Sequence, residues 1–171
     1  MTALDFLGRS FVGFQEHASP DDRAFDCRWV DLKSFRFPAG SPDRDLLAAL
    51  VAHEQFRDDY AGGGVDPAGI RHGCYWLDRI TPAAYRPVTH GAADQVLREW
   101  ADQYGRLTQS LEAALDASPR AVLGSADRLY LLPELGSDTW HDWGRVHEDF
   151  HEFVAVDDDR RVLTLLVAAD D

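Results

Sequence analysis

The stretch 152–168 constrains the fold more than any other part of the chain. It reads "EFVAV", then "DDDRR", then "VLTLLVA". An unbroken run of charges between two apolar runs marks a turn in water, and the Val- and Leu-rich flanks suit strands, so the segment is expected to be an antiparallel hairpin. Both arms are apolar at nearly every residue, where a strand with one wet face would alternate. The hairpin, about 147–168 with its approach, is therefore expected at the centre of a sheet and buried on both faces.

Something must cover that sheet. Residues 91–117, "GAADQVLREWADQYGRLTQSLEAALDA", place Val96, Trp100, Tyr104, Leu107, Leu111 and Ala114 at spacings of three and four. That is one face of a helix, about 35–40 Å long at ~1.5 Å per residue. Gly105 lies inside it, where a bend is expected, and Ser118-Pro119 ends it. The reading is an α+β fold: one globular domain over 1–171, with a long central helix (about 91–117) packed on an antiparallel sheet.

Other signals are local. Phe25, Cys27 and Trp29 alternate with polar neighbours, as in a strand, after a break at "ASPDD" (18–22). Ser41 as cap and Pro42 in the first turn predict a helix through "DRDLLAALVAHEQFRDDY", with Leu46, Leu47, Leu50 and Val51 buried. "AGGGVDPAG" (61–69) stops it. "HGCYWLDRI" reads as extended, Thr81-Pro82 as a brief helix ended by Pro87, and "DRLYLLPEL" (127–135) as a strand.

Charge narrows the function. Thirty acids against seventeen bases give a formal charge of −13. Such a surface repels phosphate backbones and anionic headgroups and attracts basic partners, although high charge also serves solubility alone. Neither nucleic acid nor membrane is an expected partner. The amino-terminal sequence lacks a basic flank and an apolar run, no stretch approaches the ~18–20 apolar residues of a membrane span, and two cysteines are too few for a disulfide framework. A cytoplasmic protein with Cys27 and Cys74 reduced is the expectation. The single Lys among the bases, with abundant Ala, Asp and Gly, matches a GC-rich bacterial genome.

"HDWGRVHEDFHEF" (141–153) carries the densest chemistry, three histidines among acids and aromatic rings. His147, Glu148 and His151 match HExxH by count. The zinc-protease use of that pattern needs a helix with both histidines on one face. In a strand, residues four apart are separated by ~13 Å and do not share an ion. The strand-like "FVAV" following directly argues for a loop or turn at 138–146 feeding a strand from about 147, so no metal and no cofactor are expected. "RHGCYW" brings His72 near Cys74, where a small buried Cys is the plainer reading than a thiolate pair.

Two functional classes remain. The first is a small acidic cytosolic binding protein of the immunity or inhibitor type, occupying a basic surface on a protein partner. Its contacts would be exposed acids, among them Asp58, Asp59, Asp157, Asp158 and Asp159, with Trp76, Trp140 and Trp143 as aromatic anchors. The alternative is a small-molecule enzyme in a Trp-lined pocket, with His147 or His151 as general base and Glu148 or Asp149 orienting it, or, in a metal-assisted form, the same residues as ligands of an ion that activates a water.

Overall fold

The computed structural model describes residues 2–18 and 27–171. Eight strands are present among them: β1 (Asp5–Gly13), β2 (Arg28–Arg36), β3 (Arg71–His72), β4 (Tyr75–Trp76), β5 (Arg86–Pro87), β6 (Arg128–Leu132), β7 (Phe150–Asp157) and β8 (Val162–Asp170). Four α-helices accompany them: α1 (Asp43–Ala52), α2 (His90–Asp102), α3 (Gln109–Ala117) and α4 (Pro119–Ser125). Six strands form one sheet, ordered β1-β2-β8-β7-β6-β5, with neighbouring strands antiparallel throughout. β3 and β4 make a separate small hairpin. The α+β class is as expected, and no helix among the described residues is long and apolar enough to cross a membrane.

β7 and β8 form the expected hairpin in the middle of the sheet. Their alternate residues feed two separate cores. Val154, Val156, Leu163, Leu165, Val167 and Ala169 join Trp29 and Phe35 of β2 beneath α1. Phe153, Ala155, Leu166 and Ala168 join Val30 and Leu32 beneath α2, α3 and α4. The continuous apolar runs follow from this, because neither face meets water.

The single long helix is not observed. α2 stops at Asp102, and Gly105 takes φ +124, a value that a side chain disfavours, while its N–H reaches the Asp102 carbonyl at 3.0 Å. Thr108 then starts α3 by accepting the Leu111 N–H at 3.2 Å. The apolar spacing runs through the break because both helices bury residues against the same face: Trp100 from one, Leu111 and Leu115 from the other. Tyr104, in the break, is half exposed. Pro119 ends α3 and begins α4.

Smaller differences have similar causes. α1 ends at Ala52, and a 3₁₀ turn, Glu54–Phe56, continues toward Asp58. The capping residue is Pro42, because the Ser41 hydroxyl is turned back to the Pro38 carbonyl at 2.8 Å. β2 begins at Arg28, and Phe25 with most of "ASPDD" lies outside the described residues.

Leu165 and Leu166 are neighbours, fully buried on opposite faces. Truncating either to Ala is expected to cost about 2–5 kcal/mol in urea melts. A cost below about 1 kcal/mol for one of them would mean that its face is not a packed core.

Candidate functional site

Alternation along β2 puts Trp29, Asp31, Lys33 and Phe35 on the same face, toward α1. Asp31 and Lys33 are nonetheless fully buried. Charges survive there because the segment following α1 lays polar groups over them. The Lys33 ammonium donates to Asp58 Oδ2 at 2.8 Å and to the Gln55 carbonyl at 3.0 Å, and lies over the Tyr60 ring at 4.7 Å. Asp58 Oδ1 accepts the Tyr60 N–H at 2.9 Å, which fixes the turn at Tyr60 with its positive φ of 57°. Arg9, from β1, bonds Asp31.

β7 contributes a second charge to this face. Glu152 receives the Tyr85 hydroxyl on one oxygen and faces His72 Nε2 at 2.5 Å on the other. The other nitrogen of His72 donates to the Phe56 carbonyl, which can only accept, and the ring stacks on Phe56 at 3.5 Å. Buried Lys33, Asp58, His72, Tyr85 and Glu152 thus tie residues 53–85 to the sheet.

The network borders a cleft of about 460 Å³ between β1, the start of β2 and the 58–64 loop. Phe11, Trp29 and Tyr60 stack in series along it, at 6.0 and 5.3 Å. Burial raises the Asp31 carboxyl, and Arg9 partly offsets this. Burial, reinforced by Asp31 and Asp58, holds the Tyr60 phenol well above its ordinary value. Asp31 Oδ2 and the Tyr60 hydroxyl have no hydrogen-bond partner among the described residues. Arg28 also lines the cleft, held over Phe14, Trp100 and Tyr104, with Nε and Nη2 without a hydrogen-bond partner among the described residues.

The histidine-rich stretch has a different role. His141 Nε2 donates to the Gly73 carbonyl at 2.6 Å while Nδ1 accepts the Trp143 N–H at 3.0 Å. His147 faces two backbone carbonyls, Asp170 at 2.5 Å and Asp59 at 2.9 Å. A protonated ring serves both and a neutral ring only one. Glycines make these approaches possible. A side chain at Gly144 would meet the Cys74 carbonyl at 2.4 Å, and one at Gly73, with φ +53, the Phe150 ring at 2.3 Å.

His147 and His151 are not brought together. His147 precedes β7 and lies edge-on to Trp29, whereas His151 points to the opposite face, edge-on to Trp100. The strand expectation holds from Phe150 onward. Glu148 is exposed, and Asp149 accepts Gln103 Nε2 at 2.9 Å. Among the described residues no three His, Cys, Asp or Glu groups gather as metal ligands would. Burial lowers the His151 imidazole.

The expected binding residues are spread out. Trp76 is half-buried beside His141, Trp140 packs on the core, and Trp143 is 60% exposed. Asp157 is the last residue of β7 and Asp158 and Asp159 follow it, about 20–25 Å from the start of the strand at ~3.3 Å per residue. Asp158 is paired with Arg128 and Asp157 with Arg160, leaving Asp159 exposed. Asp58 is buried in its pair with Lys33. The Arg9–Asp31–Lys33 set escaped sequence reasoning. Its signal was an acid and a base at the inward positions of a strand whose other inward residues are Trp and Phe.

No protein-family model matches the chain, and no curated protein matches it. A solved structure of citrus MAF1 is similar over 91% of this chain and 94% of that chain, at 13% identity and a TM-score of 0.39. A likeness at that level carries no argument about function.

Two tests follow. Lys33→Ala leaves Asp58 buried without a partner and should cost about 3–5 kcal/mol, whereas the double variant Lys33→Met, Asp58→Asn should recover a large part of it; equal losses would show that the pair is not coupled. Burial pushes the Cys74 thiol up to about 12, while Cys27 is exposed, and neither is in a disulfide. A thiol reagent at neutral pH should therefore modify one cysteine in the native protein and two after denaturation. Fast reaction of both would contradict the buried placement of Cys74.

Proposed function

We infer that the protein is a non-catalytic binding domain that docks on a basic surface of a protein partner, in the manner of an immunity or inhibitor protein in the cytoplasm. The observation that carries this reading is Trp143, a large side chain presented to solvent on a fixed mount. His141 accepts its N–H, the Gly144 N–H reaches the His141 carbonyl at 3.0 Å, and the His141 N–H reaches the Cys74 carbonyl at 3.1 Å. A pre-organised aromatic residue loses little entropy on binding and is a favoured anchor. Ile70, 64% exposed, directly precedes β3, and half-buried Trp76 lies on the β3–β4 hairpin to which this turn is bonded. The formal charge of −13 supplies long-range attraction for a basic partner.

The histidines support the same reading. Both ring nitrogens of His141 and His147 face backbone groups, and His72 bridges the Phe56 carbonyl and the Glu152 carboxylate, so each ring nitrogen of the three already has a partner within the protein. One observation favours the enzyme alternative: His151 is held toward its neutral form by burial, with Asp149, Asp170 and Arg28 nearby in charge. That is the form a general base requires.

A photo-crosslinker at position 143 tests the binding reading. It should capture a partner with a strongly basic surface, and Trp143→Ala should weaken that complex by about 2 kcal/mol or more. Raising the salt from about 0.05 to 0.5 M should slow association markedly. An acidic partner, or a complex indifferent to both changes, contradicts it.

A further inference from the structure

The two edges of the main sheet differ sharply. β5 is two residues long and contains Pro87, which has no N–H to offer a further strand. β1 is nine residues long and, among the described residues, bonded on one side only, to β2. Phe6, Leu7 and Phe11, three of the seven large apolar side chains left exposed among the described residues, lie on it, so apolar exposure is concentrated where backbone groups are also unpaired. Such an edge is built to be covered.

The order of residues points to what covers it. Arg9 and Phe11 flank Ser10 and share the face that carries Lys33 and Asp31, since they stand opposite those residues in the β1–β2 register. An antiparallel strand centred on Ser10 opposite its own copy sets Arg9 against Phe11 of the second copy, and the reverse, giving two guanidinium–ring contacts from one two-fold axis. β1 carries one acid, Asp5, and one base, Arg9. The strand itself is therefore neutral on a chain of charge −13, so two copies that meet along it add little local repulsion.

We propose that the chain is a homodimer in which β1 pairs antiparallel with β1 of a second copy about Ser10, joining two six-stranded sheets into one. Phe11, half exposed in the single chain, is covered in the pair. The interface is separate from the Trp143 turn, so it does not depend on the partner reading above.

Sedimentation of the full chain tests this, with expected mass twice that of one chain and a dimer fraction that rises with salt as the repulsion is screened. Phe11→Arg places like charges opposite each other twice and should reduce the mass to that of one chain, with an unchanged circular dichroism spectrum. Phe11→Glu faces Arg9 and should keep the dimer. Independently of those variants, in a Cys27→Ser background, Ser10→Cys should oxidise to a covalent dimer at least about tenfold faster than Ala61→Cys, because opposed residues in a strand pair lie within disulfide reach. A single-chain mass at all concentrations, a dimer indifferent to Phe11→Arg, or equal oxidation rates at positions 10 and 61 would each overturn the proposal.

Discussion

Lys33 has its ammonium wholly out of water, between the Asp58 carboxylate and the Gln55 carbonyl. A lone charge in that place would be intolerable, so β2 can be a strand of this sheet only if residues 55–58 are laid over it. Glu152 on β7 imposes the same demand on His72 and Tyr85. The layer on this face has one helix and otherwise mainly short turns. Buried polar bonds fix its position where helical packing does so on the opposite face. Bonds of this kind set one geometry, because partial satisfaction is costly.

The 141–153 stretch is best understood as the second fastening of that layer. His141 and Gly144 sew it to the β3–β4 turn, and His147 ties it to Asp59 and to Asp170 at the end of β8. Its aromatic and acidic residues then divide by position. Phe150 and Phe153 enter opposite cores, and Trp143 is left outside. A segment that resembles a metal motif by composition thus serves as a rigid mount for an exposed ring.

How much of this was legible in the sequence follows from the range of the interactions. The β7–β8 hairpin is local, and its unalternating arms announced two covered faces. The α2–α3 break was hidden because both helices pack on one face, so their apolar spacing is continuous, although Gly105 and Thr108 stood there as stop and start signals. The pairing of Lys33 with Asp58, or of His72 with Glu152, spans 25 and 80 residues. No periodicity carries that information. The strand geometry from Phe150 did separate His151 from the preceding residues, and it argued correctly against a helix there; the position of His147 before the strand was set by carbonyls far away in the chain.

His141 and His147 hold backbone groups with both ring nitrogens, and His72 joins the Phe56 carbonyl to Glu152. Side-chain nitrogen–proton spectra of histidine-labelled protein test this fastening most directly. Ring N–H protons of His72, His141 and His147 should exchange slowly with solvent, each correlated with a hydrogen-bonded partner, while the ring of His151 should lack such protection. Rapid exchange at all of them, with rings that reorient freely, would contradict it.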